Sequence, residues 1–250
     1  MRLFVVKKMK KLGLGILIAL TVLALSGVAV AISNQGANKA KAPDLEKIEF
    51  IHWKKDFAKP EAAKAPKPPS CYKFLTPTKV KWTTLPVNYV INPTNPQNLD
   101  AAFVTSAVST SAETWDAVTN KELMNDAYTI DSTATYGAQD YKNAISFGNY
   151  PTAGVIAVTT VWYNPATKAI VEFDVMFDTD WTWGDAALDS TKMDLQNIAT
   201  HELGHGVGLA DVYDSVCSAV TMYGYSNYGE VQKRTLETPD ITGLQTLYGI

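Results

Sequence analysis

The run His201-Glu202-Leu203-Gly204-His205-Gly206-Val207-Gly208-Leu209-Ala210-Asp211 carries the densest chemical signal in this 250-residue chain. On a helix, positions i and i+4 share a face, so His201 and His205 project side by side. Imidazole nitrogens so placed reach one tetrahedral Zn2+. Glu202 is rotated about 100° from His201, so it sits beside the ion and can take a proton from water. A catalytic zinc usually has three protein ligands. Gly204, Gly206 and Gly208 are odd in a helix built only for stability, since each costs about 1 kcal/mol relative to alanine. Gly208 can take a positive φ, end the helix and turn the chain back, so that Asp211 presents the third ligand. The competing reading of the spacing is a chance match on a surface helix, which is rare in a chain with only 3 histidines. For Asp211 alone, a solvated or helix-capping role competes.

Working toward the N-terminus, residues 191–206 are expected to form the metal-bearing helix, capped by Asp189-Ser190. Residues 155–163 and 169–177 are two β-rich runs joined by the turn-rich residues 164–168, and they predict a hairpin. A short strand is expected at 143–147 and another at 87–91. Between them, residues 100–118 predict a helix, with Val104, Val108, Ser111, Trp115 and Val118 on one face. Toward the C-terminus, Thr238-Pro239-Asp240 predicts a last helix with Thr238 as N-cap and Gly249 closing it. Strands first and helices interleaved, without strict βαβ alternation, predict an α+β domain over residues 71–250. Upstream, residues 32–70 are rich in Lys, Ala and Pro and read as an extension or linker. The sticky patch at 49–53 interrupts it and is expected to lie against the domain as an edge strand.

Arg2, Lys7, Lys8, Lys10 and Lys11 precede an uncharged run at 12–32 that ends in small residues. This pattern reads as a signal peptide over residues 1–31, with an uncleaved membrane anchor through 12–32 as the alternative. Either places the rest of the chain outside the cytoplasm, secreted or tethered. The composition is globular, 46% hydrophobic and 19% charged, with a net charge of −3. Without residues 1–31 the balance is 17 basic against 25 acidic residues, a net charge of −8. No basic excess is available for phosphate backbones, so nucleic acid is not an expected partner. Asp174, Asp178, Asp180, Asp185 and Asp189 crowd the approach to the zinc helix. They make Ca2+ a second candidate metal, against the plainer reading of a solvated acidic loop.

Val220-Thr221-Met222-Tyr223-Gly224-Tyr225 completes the pattern, with Met222 eleven residues after Asp211. Zinc motif and methionine turn together resemble the metzincin zinc peptidases, whose H-E-x-x-H-x-x-G-x-x-H/D is followed by such a turn. Residues 240–249 resemble the C-terminal helix of the matrixin family. Residues 81–91, Trp115 and the hairpin also sit in matrixin-like order, so the resemblance spans about 71–250. It implies a zincin-type fold, a twisted mixed sheet with an active-site helix and a C-terminal helix. It further implies an exported zinc-dependent metalloendopeptidase acting on protein or peptide substrates. His201, His205 and Asp211 would hold the metal, Glu202 would be the general base and Met222 would floor the site. The resemblance also makes 154–160 the edge strand that would hold a peptide, at Ala157, Val158 and Thr159, with an ordinary sheet strand as the equal alternative. Tyr223 or Tyr225 is a candidate wall of the adjoining pocket.

Two departures stand out. Matrixins usually carry His where this chain has Asp211. Their propeptide has a Pro-Arg-Cys-Gly latency switch, whereas Cys71 here follows Pro68-Pro69-Ser70. An exported pair of cysteines more often forms a structural disulfide, so Cys71–Cys217 is favoured over a latency thiol. A non-catalytic binding protein that keeps the fold, and a zinc hydrolase of non-peptide substrates, remain the rival functions.

Overall fold

The computed structural model describes residues 44–57 and 70–250. The predicted signal or anchor segment therefore lies outside the described residues, as does most of the Pro-rich extension. In chain order the strands are β1 (Glu46–Lys54), β2 (Lys73–Phe74), β3 (Val90–Ile91), β4 (Thr129–Ile130), β5 (Ala144–Gly148), β6 (Val155–Asn164), β7 (Ala169–Asp178), β8 (Trp183–Gly184), β9 (Met193–Asp194), β10 (Leu209–Ala210) and β11 (Tyr225–Ser226). The helices are α1 (Ala101–Asp116), α2 (Leu195–Gly206) and α3 (Thr238–Tyr248).

Seven of the strands form one mixed sheet among the described residues, in the order β11-β1-β6-β7-β5-β3-β4. β6 and β7 make the predicted hairpin, antiparallel from Ala157↔Phe177 to Asn164↔Ala169. β5 adds parallel to β7, and β3 parallel to β5. Both hairpin strands are buried over nearly their whole length, and β7 carries Glu172, Asp174 and Asp178 buried among its apolar residues.

The fold is α+β with the helices packed on the sheet. α1 begins at Asp100, whose Oδ1 accepts from the N–H of Ala102 at 2.7 Å and Phe103 at 3.2 Å. Of its predicted face, Val104, Val108, Ser111 and Trp115 are buried, whereas the helix stops at Asp116 and Val118, past its end, is half-buried. That face meets α2: Trp115 Nε1 donates to Thr200 O at 2.8 Å, and Ser111 Oγ to Gln196 O at 3.1 Å.

Two helix starts differ from the sequence expectation. α2 begins at Leu195 rather than 191, because Asp194 is its cap and accepts from Asn197 N at 2.8 Å. The Asp189 carboxylate instead closes its own turn with Thr191 N at 3.0 Å. α3 includes Thr238, and Glu237 stands at the cap, where its N–H donates to Asp240 Oδ2 at 3.0 Å. The patch at 49–53 lies within β1, a nine-residue strand between β6 and β11. A disulfide joins Cys71 to Cys217, and no described cysteine is free.

Candidate metal centre

α2 is buried on almost every side, so the direction of each of its side chains is fixed by packing. It ends where Val207 N–H bonds Leu203 O at 2.9 Å, and Gly208 at φ 111° turns the chain. β10 follows, paired with β2, and Asp211 comes directly after it. Asp211 is held beneath the helix because its neighbour Val212 exchanges backbone bonds with the methionine turn, donating to Met222 O at 2.9 Å and accepting from Gly224 N at 3.0 Å.

The three predicted ligands converge. Their donor atoms all lie within 4.8 Å of one another, and all three residues are buried. His201 Nδ1–H donates to Thr221 O at 2.7 Å, and His205 Nδ1–H donates to Leu209 O at 2.9 Å. Each proton is thereby fixed on Nδ1 and each Nε2 lone pair turned inward. Tyr213 OH donates to Asp211 Oδ2 at 2.8 Å, leaving Oδ1 facing the rings. Asp211 Oδ1 stands 3.1 Å from His201 Nε2 and 3.6 Å from His205 Nε2. Despite that closeness, His201 Nε2 and Asp211 Oδ1 are buried without a hydrogen-bond partner. Two facing lone pairs in a dry site are costly unless a cation sits between them. Two neutral imidazoles and a carboxylate in this arrangement fit Zn2+.

The electrostatics agree with that fit. Burial drives His201 down to about 4 and lowers His205, so both rings are neutral ligands. Burial pulls the Asp211 carboxyl upward, but its polar neighbours, His205, His201 and the Tyr213 hydroxyl that donates to it, together hold it below the ordinary range. Glu202 is pushed up to about 8 by burial, partly offset by its bond to Thr159. Thr159 Oγ1 donates to Glu202 Oε2 at 2.5 Å, and His52 Nδ1 donates to Oε1 at 3.0 Å. Met222 is fully buried, with its sulfur against Gly204 of α2.

Ala157, Val158 and Thr159 do not form a free edge. They pair with His52, Ile51 and Phe50 of β1. β1 also crosses the centre itself: the Phe50 ring stacks on His205 at 4.1 Å and 12°, and the His52 ring lies 4.0 Å from His201. Tyr225 is in β11, its ring 5.2 Å from Tyr213 and 5.5 Å from Tyr223.

The carboxylates considered for calcium go to separate tasks. Asp174 accepts from Gly137 and Ala144 N–H, Asp178 from Tyr150 and Asp180 N–H, and Asp185 pairs with Arg234. Among the described residues they form no converging group.

Several residues around the centre gave no signal in the sequence. His52 and Lys233 reach the site from far along the chain. Asp240 was read only as part of a helix start, yet its carboxylate accepts from Thr221 N at 2.9 Å and Met222 N at 3.1 Å and so pins the methionine turn. Tyr213 was two positions from Asp211 and could have been found as a hydrogen-bonding neighbour of that ligand.

A mixed sheet over a helix bearing two imidazoles, with an acidic donor past a glycine turn and a buried methionine turn below, defines a metzincin-like protein. The chain belongs to the matrixin family, whose model matches residues 81–249. It is 27% identical to stromelysin-1 of Rattus norvegicus over 176 residues, 69% of this chain and 34% of that protein. It is 27% identical to neutrophil collagenase of Homo sapiens over 178 residues, 71% of this chain and 35% of that one. For interstitial collagenase of Oryctolagus cuniculus the figures are 27% over 227 residues, 87% and 45%. The chain spans about a third of the length of the first of these curated relatives.

Proposed function

We propose that this chain is an exported zinc-dependent metalloendopeptidase, with residues 71–250 as its catalytic domain. The observation that carries the reading is the pair of buried, unpartnered lone pairs on His201 Nε2 and Asp211 Oδ1, 3.1 Å apart beneath a third donor on His205. Zinc held by these three residues would supply Lewis-acid polarisation of a peptide carbonyl and acidify water. Glu202 is the proton carrier: Thr159 holds its Oε2, and Oε1, which accepts from His52 in this structure, would take a proton from the attacking water once β1 yields its place and later deliver it to the departing amine. Burial suits that role, because it lifts this carboxyl toward neutrality, where a base can both take and return a proton. The backbone of β6 would hold an extended substrate by strand pairing.

Export rests on the basic-then-apolar N-terminus together with the Cys71–Cys217 bond, which persists in oxidising compartments. No helix among the described residues is long and apolar enough to cross a membrane. The test is metal content of the purified chain together with casein hydrolysis that a chelator stops and zinc restores. Glu202→Ala should keep the metal and lose hydrolysis by at least about 100-fold. Zinc-free protein, or full activity in that variant, would overturn the assignment.

A further inference from the structure

β1 lies in the cleft as a peptide would. It runs antiparallel to β6 from Glu46↔Tyr163 to His52↔Ala157 and parallel to β11 at Trp53↔Tyr225 and Lys54↔Ser226. Main-chain bonds reach it from both sides, with Trp53 N–H to Gly224 O at 3.3 Å and Lys54 N–H to Gly154 O at 2.9 Å. The two walls and α2 belong to the part of the chain that matches the matrixin family, which begins at residue 81, whereas β1 comes from before it. Side chains two apart on a strand share a face, so Phe50 and His52 both point at the centre.

His52 goes deepest. Beyond Glu202 its ring meets Ser226 Oγ at 3.0 Å and Lys233 Nζ at 3.1 Å. With Nδ1–H donated to Glu202, Nε2 is the acceptor and the ring is neutral. Lys233 is fully buried. Its Nζ has three acceptors, Tyr223 O, Tyr225 O at 3.1 Å and the His52 nitrogen. Two of these are fixed backbone; the third is supplied by whatever occupies the pocket. An apolar occupant would leave the Lys233 N–H, the Ser226 hydroxyl and a lone pair of Glu202 buried and unpaired, and sites of that kind discriminate strongly.

We infer that Lys233 makes the pocket beside Glu202, filled in this structure by His52 of β1, select a peptide side chain with a hydrogen-bond acceptor at its tip, such as neutral histidine or a carboxamide. The inference rests on the proposed reading of β6 as a peptide-holding strand and Glu202 as the base. It concerns what fills the cleft rather than whether bonds are cut.

Amide hydrogen exchange of the full chain separates the two. Residues 46–54 should be protected in the parent and lose at least about tenfold in protection in His52→Leu and in Lys233→Met. The double variant should lose less than the two single losses combined, because the leucine no longer faces an orphaned Lys233 N–H, although Ser226 Oγ and Glu202 Oε1 stay unpaired. Protection of the β6–β7 hairpin, read in the same measurement, reports that each variant is folded. Should Lys233→Met not fold, His52→Gln against His52→Leu decides: the carboxamide keeps protection and leucine loses it. Single variants as protected as the parent, or Gln and Leu behaving alike, overturn the inference. If no variant cleaves casein while the protection pattern appears, the peptidase reading fails and the pocket's selectivity stands. In trans, nonapeptides with the sequence of residues 46–54 should inhibit His52→Leu at least about tenfold better with His than with Leu at the seventh position; equal inhibition overturns the selectivity.

Discussion

Asp174 in β7 is almost wholly buried and accepts from Gly137 N at 2.7 Å and Ala144 N at 3.0 Å. Burial still pushes its carboxyl from 3.8 up to about 7, with Glu172 and Asp140 adding to the rise. A carboxyl raised on folding takes up a proton in the native state, so its contribution is complete below the unfolded value and is lost as pH climbs through about 7. The unfolding free energy of the parent, relative to Asp174→Asn, should therefore fall between about pH 4 and about pH 8 in urea titrations. A flat difference would mean that the two N–H bonds outweigh burial. The residues of the centre divide in the same local way between legible and illegible. His201, Glu202 and His205 could be read because a helix converts their spacing into a shared face. His52 and Lys233 could not, since they meet across 181 positions and nothing in either neighbourhood marks the meeting.

At the scale of the element, the glycines of α2 acquire a reason that propensity alone did not give. A Cβ at Gly204 would overlap the Met222 sulfur and stand 2.7 Å from Trp115 Cζ2. The methionine end can swing, but Trp115 is fully buried and tied by its indole N–H to Thr200 O. Gly204→Ala gains about 1 kcal/mol of helix propensity and meets an overpacking cost of about 1–3 kcal/mol. The expected outcome is a net loss of up to about 2 kcal/mol in chemical denaturation. A stabilised variant would show that the helix and the methionine turn are not in close contact. The helix itself was legible from its two histidines, but its first residue was not. Asp189-Ser190 and Asp194 all offer capping oxygens, and the choice fell to Asp194 because Arg234 and Ala186 N–H also converge on it. α3 shows the same limit: its start was visible, but the service of Asp240 to the methionine turn depends on a tertiary contact.

At the scale of the whole molecule, the β6–β7 hairpin and both long helices were legible because their contacts are local in sequence. That residues 49–53 lie against the domain was legible too, but β1 runs between β6 and β11 rather than at an edge, because its register with β6 is set across more than a hundred residues. The Cys71–Cys217 bond is also long-range, with a sequence separation of 146, yet it was legible because these are the two cysteines of the chain. It fastens the chain just before β2 to the loop between Asp211 and the methionine turn, and Cys217 is packed there with Val212 and Val220. A crosslink acts mainly by restricting the unfolded chain, and the restriction grows with the enclosed loop; one this long corresponds to at most about 5 kcal/mol. Replacing both residues, Cys71→Ala with Cys217→Ala, should lower the unfolding free energy by about 3–5 kcal/mol. Because the unlinked denatured chain is more expanded, the denaturant slope should steepen at the same time. The folded state should change little away from the 211–222 loop, so amide protection in the hairpin would fall only by the loss in global stability. A stability loss with an unchanged slope would place the effect of the bond in the native loop rather than in the unfolded ensemble.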